Sequence, residues 1–189
     1  MNYKRLRLLR NAARVLRCHN ARSIHQQTVG EHTFGVLALL ATVYPQARAL
    51  VWQAALYHDV PESVTGDVPA PTKWRHKQLE EALRAVEDSV KQEYELHILL
   101  TEHEKRVLKF CDYMELALFA IEECDSGNSH MASMARNALR GIQQRGLTDV
   151  TPDALTLYDL VKVTLEQKQY DGAYGAEVTH GSFSEHERE

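Results

Sequence analysis

Acidic residues are absent from the first thirty positions: Lys4, Arg5, Arg7, Arg10, Arg14, Arg17 and Arg22 all precede Glu31. The opening segment is positive, yet 22 Lys and Arg against 26 Asp and Glu leave the whole chain at a formal charge of -4. That balance excludes a uniformly basic binder of nucleic-acid polymers and a polybasic membrane-surface protein. Cysteine is scarce as well. Cys18, Cys111 and Cys124 are odd in number, show no Cys-x-x-Cys spacing and follow no secretory h-region, which argues against a disulfide framework and for free thiols in a reducing, cytoplasmic setting. Mitochondrial transit peptides share such an Arg-rich, acid-free opening, but here it runs without a break into residues of the candidate site. No stretch reaches the roughly 18 uninterrupted apolar residues of a membrane span. Glycine and proline, 9 and 5 in number, are sparse enough for most of the chain to be helix.

What is present is helical periodicity. Leu6, Leu9, Ala13 and Leu16 follow the three-four rhythm of an amphipathic helix with arginines on its other face. Val36, Leu39, Leu40 and Val43 repeat it in a helix that opens near Glu31 and ends before Pro45, and a third helix spans about 47–58. Pro61, Gly66, Pro69 and Pro71 predict a functional loop from 61 to 74. Further helices are expected at about 76–96, 101–124, 129–145 and 152–168, the last opened by Thr151 as N-cap with Pro152 behind it. No strand signal competes, so the expectation is an all-α domain over residues 1–170 with a flexible tail at 171–189.

The charged residues that interrupt the apolar runs carry the chemistry. His58 and Asp59 lie inside the run Trp52 to Val60, where a carboxylate is costly without a cation or hydrogen bonds. Adjacent helical side chains diverge by about 100°, so the pair converges on one ion only where the helix ends, and Pro61 supplies that end. His32 lies early in one helix and Asp112 in the middle of another. Two imidazoles and two carboxylates make a mixed N/O donor set for a divalent ion such as Mn, Co, Fe or Zn.

The spacing His32, then His58-Asp59 after 26 residues, then Asp112 after 53 more, resembles the HD-domain metal-dependent phosphohydrolases, whose pattern is H…HD…D on an all-helical bundle with the metal site between helices. The resemblance covers roughly residues 15 to 125. Arg17, Thr28-Val29-Gly30-Glu31-His32, Tyr57-His58-Asp59-Val60-Pro61-Glu62, the stretch Thr65 to Lys73, and Lys109-Phe110-Cys111-Asp112 are similar to the 5′-deoxynucleotidases and to the small dATP triphosphohydrolases of phages. In both groups water attacks the α-phosphorus and the 5′ ester leaves.

The resemblance implies roles. His32, His58, Asp59 and Asp112 fall on metal ligands, for Co, Mn or Zn with Mg possible. Glu62 falls on the catalytic carboxylate beside Asp59, and Arg17, Lys73 and Lys109 on phosphate-binding positions. Asp67 falls on the residue that recognises the sugar 3′-hydroxyl, with Thr65 in the same loop. Cys18 departs from the pattern: the residue after the phosphate-binding Arg is usually Trp, so its stacking on the sugar and base is lost or taken over by His19 or Trp74. The further cations Arg75, His76 and Lys77 beside Lys73 favour a deoxynucleoside triphosphate, dATP above all, cleaved to deoxyadenosine and triphosphate. The alternative is a 5′-deoxynucleotidase acting on monophosphates. An alternative of another class is a catalytically inactive metal-binding regulatory protein, against which Glu62 and Lys73 stand. Cyclic-dinucleotide hydrolases fit less well, because their Gly-Tyr-Pro element is absent. A homo-oligomer, dimer or hexamer, is also implied.

Overall fold

In the computed structural model, which describes residues 3–168, the helices are α1 (Tyr3–Ala12), α2 (Val29–Val43), α3 (Ala49–Tyr57), α4 (Glu62–Thr65), α5 (Ala70–Arg75), α6 (Lys77–Glu93), α7 (Glu102–Asp125), α8 (Ala132–Gln144) and α9 (Pro152–Gln167), with a 3₁₀ turn at Ser129–Met131. The expected tail lies outside the described residues. Three threonines set the starts of the helices that frame the molecule. Thr28 and Thr101 each accept the amide of a glutamate three residues on, Glu31 and Glu104, whose carboxylate in turn accepts the threonine amide. Thr151 accepts the Ala154 amide and Pro152 occupies the first helical position, as its sequence predicts.

Helix α7 is the central post. Its buried Val107, Phe110, Cys111, Met114, Ala117, Ala120, Ile121 and Cys124 recur every three or four positions. They join Val36, Leu40 and Val43 of α2, Leu139 and Ile142 of α8, and Tyr158 and Val161 of α9 in one apolar cluster. A smaller cluster of Ala12, Val60 and Leu96 ties α1 to the end of α3. Among the described residues there is no strand, only one isolated bridge between Leu16 and Thr28, and no helix is long and apolar enough to cross a membrane.

Two expectations are corrected. First, α1 stops at Ala12 instead of running through Leu16. The first amides of α2 have no partner inside their own helix, and the preceding chain supplies one: Val29 N–H donates to the Val15 carbonyl at 2.8 Å and Gly30 N–H to the Ala13 carbonyl at 3.2 Å. A β-carbon at position 30 would lie 2.9 Å from that Ala13 oxygen, so the close approach requires glycine. Second, residues 61–74 are not a loop but hold two short helices, α4 and α5. The prolines do not break them because Pro61 and Pro69 sit at their N-caps and Pro71 in a first turn, where no amide is needed. Gly66, at φ 73°, makes the turn between the two helices.

Replacing Thr101 by Ala removes the acceptor for the Glu104 amide and is expected to lower the free energy of unfolding by about 1 kcal/mol in a urea titration. Thr42→Ala, which removes an exposed hydroxyl bonded only to Ala38 of its own helix, is expected to change it by less than about 0.5 kcal/mol.

Candidate active site

Four residues from three elements converge on one point. His32 is the fourth residue of α2, Asp112 projects from the middle of α7, and His58 and Asp59 occupy the turn just past α3. That turn is closed by hydrogen bonds from Val60 N–H to the Tyr57 carbonyl and from Glu62 N–H to the Asp59 carbonyl, so the helix has ended where the adjacent pair needs to converge. His32 Nε2 lies 3.1 Å from His58 Nε2, 3.5 Å from Asp59 Oδ2 and 3.3 Å from Asp112 Oδ1. His58 Nε2 lies 3.3 Å from the same Asp59 oxygen. The other ring nitrogens are engaged as donors, His32 Nδ1 to the Glu115 carboxylate and His58 Nδ1 to the Ala55 carbonyl at 2.6 Å. This leaves two Nε2 lone pairs aimed at each other among carboxylate oxygens, an arrangement that needs a positive charge between them. Two nitrogens sharing one cation at bonds of about 2.0–2.1 Å stand about 3 Å apart, so the donor set fits a divalent ion. Protons respond to the same field. Burial works against a charged His58, yet Asp59 raises it to about 9, and burial of Asp59 is outweighed by His58 and Arg17, which hold it well below the usual carboxylate range.

Buried carboxylates on α7 hold the surrounding segments. Glu115 accepts from His32 Nδ1 and from Gln27 Nε2, the latter at 2.7 Å. It reaches His32 because residue 35 is glycine: a β-carbon there would lie 2.7 Å from Glu115 Cγ. Two turns further on, Glu123 accepts the amides of Ile24 at 2.6 Å and His25 at 2.7 Å, and the Asn128 side chain at 2.8 Å. Burial disfavours its charge, but these donors hold its carboxyl down at about 2.

The donor cluster opens into a cavity of about 740 Å³ lined by Arg17, Glu62, Asp67, Lys73, Lys109 and residues of α6 and α8. Arg17 Nη1 donates to Asp59 Oδ2 at 2.5 Å, and Lys109 Nζ to Asp112 Oδ2 at 2.7 Å. Among the described residues Arg17 Nε and Glu62 Oε2 are buried without a hydrogen-bond partner. Burial, with Asp59 and Asp67 nearby, pushes the Glu62 carboxyl up to about 9. Asp67 Oδ2 accepts the Cys18 amide at 2.9 Å, and Cys18 adopts φ 51°, a left-handed conformation unusual for a residue with a β-carbon.

Residues 4–152 match the family described as 5′-deoxynucleotidase YfbR-like. The chain belongs to that family. A 5′-deoxynucleotidase of Cronobacter sakazakii is 27% identical over 151 residues, covering 66% of this chain and 74% of the relative, and one of Yersinia pestis is 29% identical over 90 residues, 40% of this chain and 46% of the relative. The fold is shared with the PH0347 protein of Pyrococcus horikoshii at TM-score 0.67 and 20% identity, over 87% of this chain and 99% of that one. It is also shared with the HD phosphohydrolase DatZ of cyanophage S-2L, solved bound to dA and one catalytic Zn²⁺ ion, at TM-score 0.59 and 22% identity, over 89% and 95%. This YfbR-like chain is therefore an all-α enzyme of a family that hydrolyses deoxynucleotides, with the fold of the HD-domain phosphohydrolases and a donor cluster that could hold a metal ion.

Against the sequence expectations, the structure brings Arg17, Cys18, Asp59, Glu62, Asp67, Lys73, Lys109 and Asp112 around the cavity of this YfbR-like protein, but not all that was expected there. Thr65 is absent from the lining and its hydroxyl donates to the Gly66 carbonyl at 3.0 Å. Arg75, His76 and Lys77 are exposed and line no part of it; they straddle the boundary at which α5 ends, at Arg75, and α6 starts, at Lys77. His19 is likewise exposed and outside the lining. Sequence reasoning missed Glu115, Gln27 and Glu123. The signal was there for two of them, since a carboxylate inside the apolar run of α7 raises the question that singled out Asp59.

Two outcomes are expected. Gly35→Ala displaces Glu115 from His32 and should weaken Mn²⁺ binding by about 10- to 100-fold in a calorimetric titration. Glu123 has a folded pKa of about 2, below its ordinary value of 4.5, so its stabilisation is complete above the ordinary value and is lost as pH falls through it toward 2. Thermal melts of Glu123→Gln should therefore lie below wild type at pH 7 and converge with it as the pH is lowered toward 2.

Proposed function

We propose that this chain is a metal-dependent 5′-deoxynucleotidase that hydrolyses the phosphate ester of 2′-deoxynucleoside 5′-monophosphates. The observation that supports this most directly is the buried, unpartnered Oε2 of Glu62 in a cavity it shares with Arg17, Lys73 and Lys109 and with the donors Asp59 and Asp112. A buried polar atom without a partner is costly, and the ester oxygen of a bound nucleotide is a fitting one. The names of the curated relatives support the monophosphate. So does the position of Arg75, His76 and Lys77, which are exposed and do not line the cavity.

In this reading the oxygen of one water molecule bonds to phosphorus, the bond from phosphorus to O5′ breaks, and O5′ takes up a proton, giving deoxynucleoside and phosphate. His32, His58, Asp59 and Asp112 would hold the divalent ion, Co, Mn or Zn, which polarises a phosphate oxygen and lowers the pKa of water. Arg17, now on Asp59, would present its fork to the phosphate, and Lys73 and Lys109 would add point charges. Glu62 carries its proton at neutral pH, delivers it to O5′ and recovers one that the attacking water gives up as its oxygen bonds to phosphorus. Asp67, anchored by the Cys18 amide, accepts from the sugar 3′-hydroxyl. Cys18 presents a small wall where family members place an indole, and the base is held by shape more than by stacking. We extend the proposal to a cytoplasmic homo-oligomer, dimer or hexamer, which light scattering after gel filtration would register.

With dAMP and Mn²⁺, Glu62→Gln should lower kcat by about 10²- to 10⁴-fold while metal content and KM stay near wild type. Asp59→Ala should lose metal and turnover together. Near-normal turnover by Glu62→Gln would refute the assignment of the proton donor.

A further inference from the structure

The donor cluster has a second opening. A smaller cavity of about 290 Å³ is lined by His58, Asp59 and Asp112, by Lys105 and Lys109, and by the apolar side chains of Val36, Ala55, Leu100 and Leu108. It shares only Asp59, Lys109 and Asp112 with the larger cavity, so the cluster is the junction of two separate spaces. Glu62, Asp67 and Arg17, the groups suited to a sugar and its ester, all lie on the larger one. A nucleotide whose phosphorus sits at the junction, with its nucleoside in the larger cavity, directs anything attached beyond that phosphorus elsewhere.

We propose that the smaller cavity is a polyphosphate subsite, which takes the β- and γ-phosphates of a deoxynucleoside polyphosphate on Lys105 and Lys109. The inference rests on the proposed function for the position of the attacked phosphorus. Lys105 and Lys109 stand four residues apart on α7 and so share one face. The nearest competing charge is Glu102, whose carboxylate accepts from Lys105 Nζ at 2.6 Å, with the two side chains 85% and 56% exposed. So exposed a pair contributes little and yields readily to a phosphate. The other acidic groups of the cavity, Asp59 and Asp112, are already engaged, the first by Arg17 and the second by Lys109, and both belong to the ion. The subsite would give the chain room for the triphosphate that Arg75, His76 and Lys77 do not serve.

The test is inhibition of dAMP hydrolysis by inorganic tripolyphosphate and by orthophosphate, at constant free Mn²⁺, in wild type, Lys105→Ala and Lys105→Glu. Wild type is expected to bind tripolyphosphate about tenfold more tightly than orthophosphate. Both Lys105 variants should weaken tripolyphosphate about tenfold and leave orthophosphate inhibition and the KM for dAMP within about twofold. Unchanged tripolyphosphate inhibition in both variants, or equal weakening of the two anions, would overturn the proposal. Calorimetric titration of the Mn-loaded proteins with tripolyphosphate makes the same comparison without turnover. Failure to hydrolyse dAMP would thus count against the monophosphate reading, while the calorimetry decides the subsite.

Discussion

A carboxylate buried inside an apolar helix must be met by a donor, and the meeting of Glu115 with His32 governs how the rest of this molecule is arranged. Helix α7 packs its apolar positions against three other helices, so Glu115 cannot turn to water without dismantling the core. An unmatched charge there would cost several kcal/mol. The answer is local and exacting: residue 35 of the facing helix has no side chain, so the carboxylate passes it and accepts the hydrogen bond of His32 Nδ1. With Nδ1 engaged, the lone pair of Nε2 faces His58 and the two aspartates. Orientation of the cluster is thereby a property of core packing and not of the flexible surface.

The same logic explains why the segment between α1 and α2 is irregular yet held. Residues 13–28 carry Arg17 and Cys18 to the cavity, and they are fastened from both sides. The free amides of α2 draw the backbone at Ala13 and Val15 inward, and Glu123 grips the amides of Ile24 and His25. A cationic residue at the cavity thus hangs from two buried anchors, and neither anchor touches the cavity. Glu115 and Glu123 lie eight residues apart on α7, about 12 Å along its axis, so one rigid rod sets the spacing between imidazole and guanidinium.

Much of this was legible in the amino-acid order. The helices of the core announce themselves by apolar spacing, and α9 was placed by Thr151 and Pro152 alone. His32, His58, Asp59 and Asp112 stood out because charge inside an apolar run demands a reason, and the turn at Pro61 let neighbours converge. Three features were not readable. The end of α1 depends on the amides of Val29 and Gly30 downstream, which its own periodicity does not encode. Prolines at 61, 69 and 71 signal a break, yet they serve as helix starts, a distinction made by the residues after them. The cations 73–77 are contiguous in sequence but straddle a helix boundary, and contiguity says nothing about which way each side chain faces.

The ion pair of Arg17 with Asp59 at 2.5 Å has a consequence for how the protein comes into being. The apolar core of α2, α7, α8 and α9 is built from residues other than Arg17 and Asp59, and inside the cluster the guanidinium sits on the carboxylate that burial would otherwise penalise. Closure of the apolar core therefore does not call on the charges of this pair, unlike that of small domains whose folding energy comes from a bound metal. A change at Arg17 or Asp59 thus falls on the site and leaves the packing of the four helices in place.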